Sequence, residues 1–138
     1  MSVLIKPVSQ FINLLPEQIS ERSDSSKLSC KFVIIRHQDQ LVLVLGNVAE
    51  YPYHANLVYH FCQQNEIAAE WEKKPDLVTI FESKTMVQGG GWIEIVPKSR
   101  MMRIFGKSTA YGEFDINELN HIVESEPFFS EFNIEFNS

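Results

Sequence analysis

The chain's 138 residues, 15.9 kDa, suffice for one domain around one core and are too few for two. Apolar residues at 44% and charged residues at 22% exclude wholesale disorder. Twelve basic side chains against 18 acidic ones give a formal charge of −6 with no long run of Lys or Arg, so nucleic acid is not an expected partner.

In chain order, Val8, Phe11, Ile12 and Leu15 recur at helical spacing behind Pro7, which predicts a short N-terminal amphipathic helix over residues 7–19. The serine-rich, charged residues 20–29 read as a linker. Residues 1–29 are thus expected to form a helical appendage, and residues 30–138 the domain proper. KFVIIR at 31–36 and LVLVL at 41–45 predict two hairpin-paired strands whose near-continuous apolar character requires cover on both faces. Asn56 can cap a helix with Leu57, Phe61, Ala68 and Trp71 near one face, ending around residues 72–75. A strand-rich middle follows at 77–81, 85–87, 92–96 and 100–105, with a turn at 97–99. Asp115 with Glu118 three residues later signals a second helix carrying Ile116, Leu119 and Val123. Phe132, Ile134 and Phe136 alternate with polar residues as a half-buried strand does. The expected fold is α+β, with helices packed on a mixed or mostly antiparallel sheet.

Cys30 and Cys62 cannot build a disulfide framework, and no apolar run approaches the roughly 20 residues of a membrane span. Lys6, Pro7, Ser9, Gln10 and Asn13 interrupt the first fifteen residues, so no signal-peptide core is expected either. A cytoplasmic location away from membranes is the expectation. Three of the six glycines are consecutive, Gly89, Gly90 and Gly91, concentrating the chain's most permissive backbone at one place.

The four histidines and two cysteines fall into no metal-ligand spacing, so neither a metal nor another cofactor is expected. His37, His60 and His121 sit at ordinary polar positions, and the aromatics Phe61, Trp71, Phe128, Phe129 and Phe132 read as core. Three clusters remain. His54 precedes a helix start, where the positive end of the helix dipole favours the neutral imidazole and hence a base. Lys31 opens a strand. The loop GKSTAYG at 106–112 can present backbone N–H groups and the Ser108 hydroxyl to an anion. It is not a P-loop, because Met101 stands where the opening glycine would be. Each feature also has an ordinary reading as a surface histidine, a solvated strand-end charge and a plain connection.

Together the blocks KFVIIR at 31–36, YHAN at 53–56, GGG at 89–91 and GKSTAYG at 106–112 resemble the KYVLIR, YHAD, GGG and GYSMAYG blocks of the phosphohistidine phosphatases of the Janus/Ocnus family. The resemblance implies a six-stranded mixed sheet with a helix on each side and metal-independent removal of phosphate from a phosphohistidine-containing protein or small phosphoramidate. It places the catalytic histidine on His54, the active-site lysine on Lys31 and the phosphate-binding loop on Ser108, Thr109 and Ala110. It also makes the run Gly89 to Gly91 a landmark on the sheet, where a bulge or a close backbone approach is expected. Residues 1–29 fall outside it. Three positions depart from the family pattern: Trp92 and Leu45 where it has arginines, and Asn56 where it has aspartate. An insertion at about 66–84 is expected to reshape the rim of the site. Two readings follow, a phosphoramidate phosphatase and an inactive relative that binds phosphate or phosphoprotein as a regulatory module.

Overall fold

A computed structural model of the chain describes residues 8–15, 27–73 and 76–137. The strands β2 (Leu28–His37) and β3 (Gln40–Asn47) form an antiparallel hairpin, turned through Gln38 at a φ of 56°. Their alternation divides the core in two. Phe32, Ile34, Leu43 and Leu45 belong to one buried cluster, and Val33, Ile35, Val42 and Val44 to another. Each cluster is closed by a helix, which explains why both strands read as apolar throughout.

On one face lies α1 (His54–Gln64), burying Ala55, Leu57, Val58, Phe61 and Cys62. On the other lie α2 (Ile116–Ser125) and the short α3 (Pro127–Ser130), which contribute Leu119, Ile122 and Phe129. As expected, Asp115 caps α2, its Oδ1 accepting the N–H groups of Asn117 and Glu118 at 2.8 and 3.3 Å. Two further strands, β4 (Ala69–Lys73) and β5 (Leu77–Ile80), pair as a separate antiparallel hairpin. The main sheet is completed by β1 (Val8–Asn13), β6 (Thr85–Val96), β7 (Met101–Phe105) and β8 (Asn133–Phe136). Its order is β1-β3-β2-β6-β7-β8, with parallel pairs at its two edges and antiparallel pairs between. The fold is therefore α+β with a six-stranded mixed sheet between helices. Among the described residues, no helix is long and apolar enough to cross a membrane.

Three expectations are corrected. The predicted N-terminal helix is, over Val8–Asn13, a strand that runs parallel to β3 from Val8 opposite Gln40 to Asn13 opposite Leu45. Without it the apolar β3 would be an open edge, and pairing there outweighs a weak helical periodicity. Phe11 is anchored against Phe128 and Phe129, at ring separations of 5.4 and 5.0 Å. Leu14 and Leu15 are not helical either, the Leu14 N–H donating to the Leu45 carbonyl at 2.8 Å; residue 7, residues 16–19 and residues 20–26 of the linker lie outside the described residues. Second, the first helix ends at Gln64 rather than near 72–75. Asn65 Nδ2 donates to the Phe61 carbonyl at 2.9 Å and Glu66 takes a φ of 55°, so the chain turns away and Ala68 and Trp71 are not helical. Trp71 instead packs from β4 onto Tyr59 of α1, 5.2 Å between rings. Third, the segments predicted at 85–87 and 92–96 are one strand that runs through the glycines.

Candidate active site

The glycine run is where the sheet forks. Up to Gly91, β6 pairs only with β2; from Trp92 to Val96 it also pairs with β7. The register between β2 and β6 shifts at Ile34/Ile35, leaving Gln88 as the extra residue of a bulge. Beyond Phe105, β7 swings away at Gly106 and the chain returns at Gly112, whose carbonyl accepts the Gly90 N–H at 3.2 Å. Both predicted causes of the glycine run, bulge and close approach, are present. A Cβ on Gly90 would stand 2.5 Å from the Phe32 carbonyl oxygen and 3.0 Å from His54 Cδ2. Only a hydrogen at Gly90 lets the imidazole lie against the sheet.

His54 is the first residue of α1, one position inside the helix rather than just ahead of it. Asn56 does cap this helix, but from within its first turn, its Oδ1 accepting the Tyr53 N–H at 2.9 Å. The His54 Nε2 lies 2.9 Å from the Gly91 carbonyl oxygen. A carbonyl only accepts, so Nε2 carries the hydrogen and Nδ1 is the unprotonated nitrogen. Burial pushes the imidazole pKa below its ordinary value; the Gly91 carbonyl pulls it up, and the Lys31 charge lowers it further. The dipole of α1 acts in the same direction as burial.

Lys31 faces Trp92 across the β2–β6 pair, and Gly46 across the β2–β3 pair. Its ammonium donates to the Pro52 carbonyl and sits over the Trp92 and Tyr53 rings, 4.7 and 5.4 Å from their centroids. Burial lowers its pKa. The loop between Gly106 and Gly112 is tied by its own backbone. Ser108 and Gly112 exchange N–H to carbonyl bonds of 3.1 and 2.8 Å, and Ser108 Oγ accepts the Tyr111 N–H at 3.0 Å. Gly106, at a φ of +75°, lets the loop lie flush on Trp92, since a Cβ there would meet indole Cδ1 at 2.9 Å. Among the described residues, the N–H groups of Thr109 and Ala110 enter no hydrogen bond.

These pieces enclose a cavity of about 510 Å³ lined by all five predicted residues, Lys31, His54, Ser108, Thr109 and Ala110, and also by Tyr53, Trp92, Lys107, Asp76 and Leu77. The last two belong to the β4–β5 region, within the segment 66–84, which therefore lines part of the cavity. They carried no sequence signal, because a turn aspartate has many ordinary uses. Tyr111 joins rim to loop, its hydroxyl oxygen accepting the Val78 N–H at 3.0 Å. Among the described residues, no cluster of His, Cys, Asp or Glu could hold a metal ion.

The family model of the Janus/Ocnus family (Ocnus) matches residues 19–133. The chain belongs to the Janus/Ocnus family. Among curated proteins, none matches the chain significantly. Within the family pattern the three departures have different consequences. Leu45 is fully buried in the cluster against α2, on the sheet face opposite His54, so it takes nothing from the cavity wall. Asn56 supplies a capping oxygen as an aspartate would. Trp92 is the departure that reaches the cavity: its indole stands beside Lys31, where the resemblance leads to the expectation of a guanidinium. Neither Arg36, paired with Glu118, nor Arg103, paired with Glu94, lines the cavity in compensation; Lys107 does.

Proposed function

We propose that this Janus/Ocnus protein is a metal-independent phosphatase of N–P bonds, acting on phosphohistidine in proteins or on small phosphoramidates. The observation that carries this reading is the tautomer of His54. With Nε2–H given to Gly91, Nδ1 is the ring nitrogen left to act as a base, and His54 lines a cavity that, among the described residues, also holds the Lys31 and Lys107 ammonium groups and uncommitted loop N–H donors. In the reaction, a water attacks phosphorus opposite the leaving nitrogen and gives its proton to Nδ1. The Gly91 carbonyl then faces the positive imidazolium that forms. Lys31, Lys107, the Ser108 hydroxyl and the Thr109 and Ala110 N–H groups balance the phosphoryl oxygens. The P–N bond breaks, the departing nitrogen takes a proton from solvent, Nδ1 returns its own proton to solvent, and inorganic phosphate and the free imidazole or amine remain. Direct attack by Nδ1, giving a phosphoenzyme that water then cleaves, uses the same groups.

A second reading is favoured by Lys31 and Trp92. The ammonium is already engaged by Pro52 and two aromatic rings, and among the described residues no guanidinium lines the cavity to clamp phosphate bidentately. On this reading the chain binds a phosphorylated partner without cleaving it. Release of phosphate from a phosphohistidine peptide and from phosphoramidate, measured in EDTA alongside peptide binding, separates the two. Turnover supports the enzyme; binding of the peptide without turnover supports the module.

A further inference from the structure

The cavity's charges come from separate elements. Lys31 is on β2 and Lys107 on the loop after β7, whereas Asp76 stands just before β5, at the turn of the β4–β5 hairpin. Asp76 is exposed and, among the described residues, enters no ion pair or hydrogen bond. Its position is fixed from two sides. The bond from Val78 N–H to the Tyr111 hydroxyl ties β5 to the phosphate loop, and the Trp71–Tyr59 contact ties β4 to α1. The packing of the hairpin thus places Asp76 in the wall of the same cavity as the groups that would receive the phosphoryl oxygens. With His54 neutral, the described residues of the lining, Lys31, Lys107 and Asp76, make it bipolar.

We infer that Asp76 is a specificity residue that selects substrates carrying a cationic group next to the phosphorylated nitrogen, a basic phosphopeptide rather than an acidic one. The inference rests on the reading of the cavity as a phosphoryl site. A substrate with its phosphoryl group toward Lys31 and Lys107 exposes its neighbouring residues to the rim, where a Lys or Arg meets Asp76 and a Glu or Asp is repelled. The chain's net charge of −6 adds a diffuse preference of the same sign. The local part is what Asp76 contributes, and it is separable by mutation.

The test uses the full chain and two peptides that carry a hydrolysis-resistant phosphohistidine analogue, one flanked by Arg and one by Glu. Dissociation constants are measured at low and high salt for wild type, Asp76→Asn and Asp76→Lys, with circular dichroism confirming that the variants fold. An exposed ion pair changes affinity roughly two- to five-fold, so the wild type is expected to prefer the basic peptide by about five- to tenfold at low salt. That preference shrinks at high salt. Asp76→Asn should reduce it to about twofold, and Asp76→Lys should invert it. An unchanged preference in both variants would overturn the inference, as would the absence of measurable peptide binding. Charge-selective binding that depends on Asp76, without turnover of phosphohistidine peptide, would leave the inference standing and remove the phosphatase reading.

Discussion

Replacing Gly90 by alanine tests how the sheet holds the imidazole. The new methyl would lie 2.5 Å from the Phe32 carbonyl oxygen, 3.0 Å from His54 Cδ2 and 3.3 Å from Val33 Cγ1. The first contact is with backbone in the middle of β2 and cannot be relieved by a rotamer, so β6 or β2 must shift. Overpacking of this kind costs about 1–3 kcal/mol. Displacing the ring also weakens the bond from Nε2 to Gly91, a further cost of about 1 kcal/mol. Thermal and urea unfolding should therefore show a loss of about 2–4 kcal/mol. The catalytic effect is separable from the loss of stability. A shift of about 1 Å in a catalytic group costs on the order of 100-fold in rate. Leu119→Ala, made in the cluster on the opposite sheet face, is the control. It should lose about 2–5 kcal/mol and keep its rate at temperatures where it remains folded. Equal rates for Gly90→Ala and wild type, or an unchanged Nε2–H signal of His54 by NMR, would refute the argument that this glycine seats the base.

Because burial first, and the Lys31 charge after it, lower the His54 pKa, the acid limb of kcat/KM should fall below pH 6.5, and loss of the Lys31 charge should place the alkaline limb below pH 10.5. The same depression has a stability consequence. The unfolded chain takes up the imidazole proton near pH 6.5 and the folded chain only at lower pH, so stability falls as pH drops below 6.5; His54→Gln should flatten that part of a melting-temperature profile. Phe11→Ala should destabilise the domain by about 2 kcal/mol in urea titrations, because the half-buried ring bridges β1 and α3; no change would mean that the N-terminal segment is a detached appendage. Burial pushes the Cys30 and Cys62 thiols up to about 12 and 11, so neither should react with a thiol reagent faster than the chain unfolds, and rapid labelling of the native protein would contradict their burial.

The pattern of residues 31–45 was enough to predict a hairpin covered on both faces, and Asp115 with Glu118 marked α2, because both signals are local and physically unambiguous. The edge strand was not legible. Val8, Phe11 and Ile12 satisfy a helix as readily as a strand, and the partner that decides between them, β3, is 32 residues away. The end of α1 is not legible for a related reason: Ala68 and Trp71 keep the helical period beyond a turn that Asn65 and Glu66 impose. For the site, His54, Lys31 and the loop at 106–112 were accessible through helix-end and turn chemistry together with the motif order. The tautomer of His54 was not, since it depends on the Gly91 carbonyl, 37 residues away. Asp76 and Leu77 reach the cavity only through the packing of a hairpin on α1 and Tyr111.

The central claim is that His54 performs the cleavage of an N–P bond without a metal. The direct measurement is the initial rate of phosphate release from a phosphohistidine peptide in EDTA near neutral pH, for wild type and for a folded His54→Ala variant. Removal of a general base costs about 10²- to 10⁴-fold, so the wild type should turn over in EDTA and the variant should be slower by at least about 100-fold. A variant as fast as wild type, or a wild-type rate abolished by EDTA, would contradict the account.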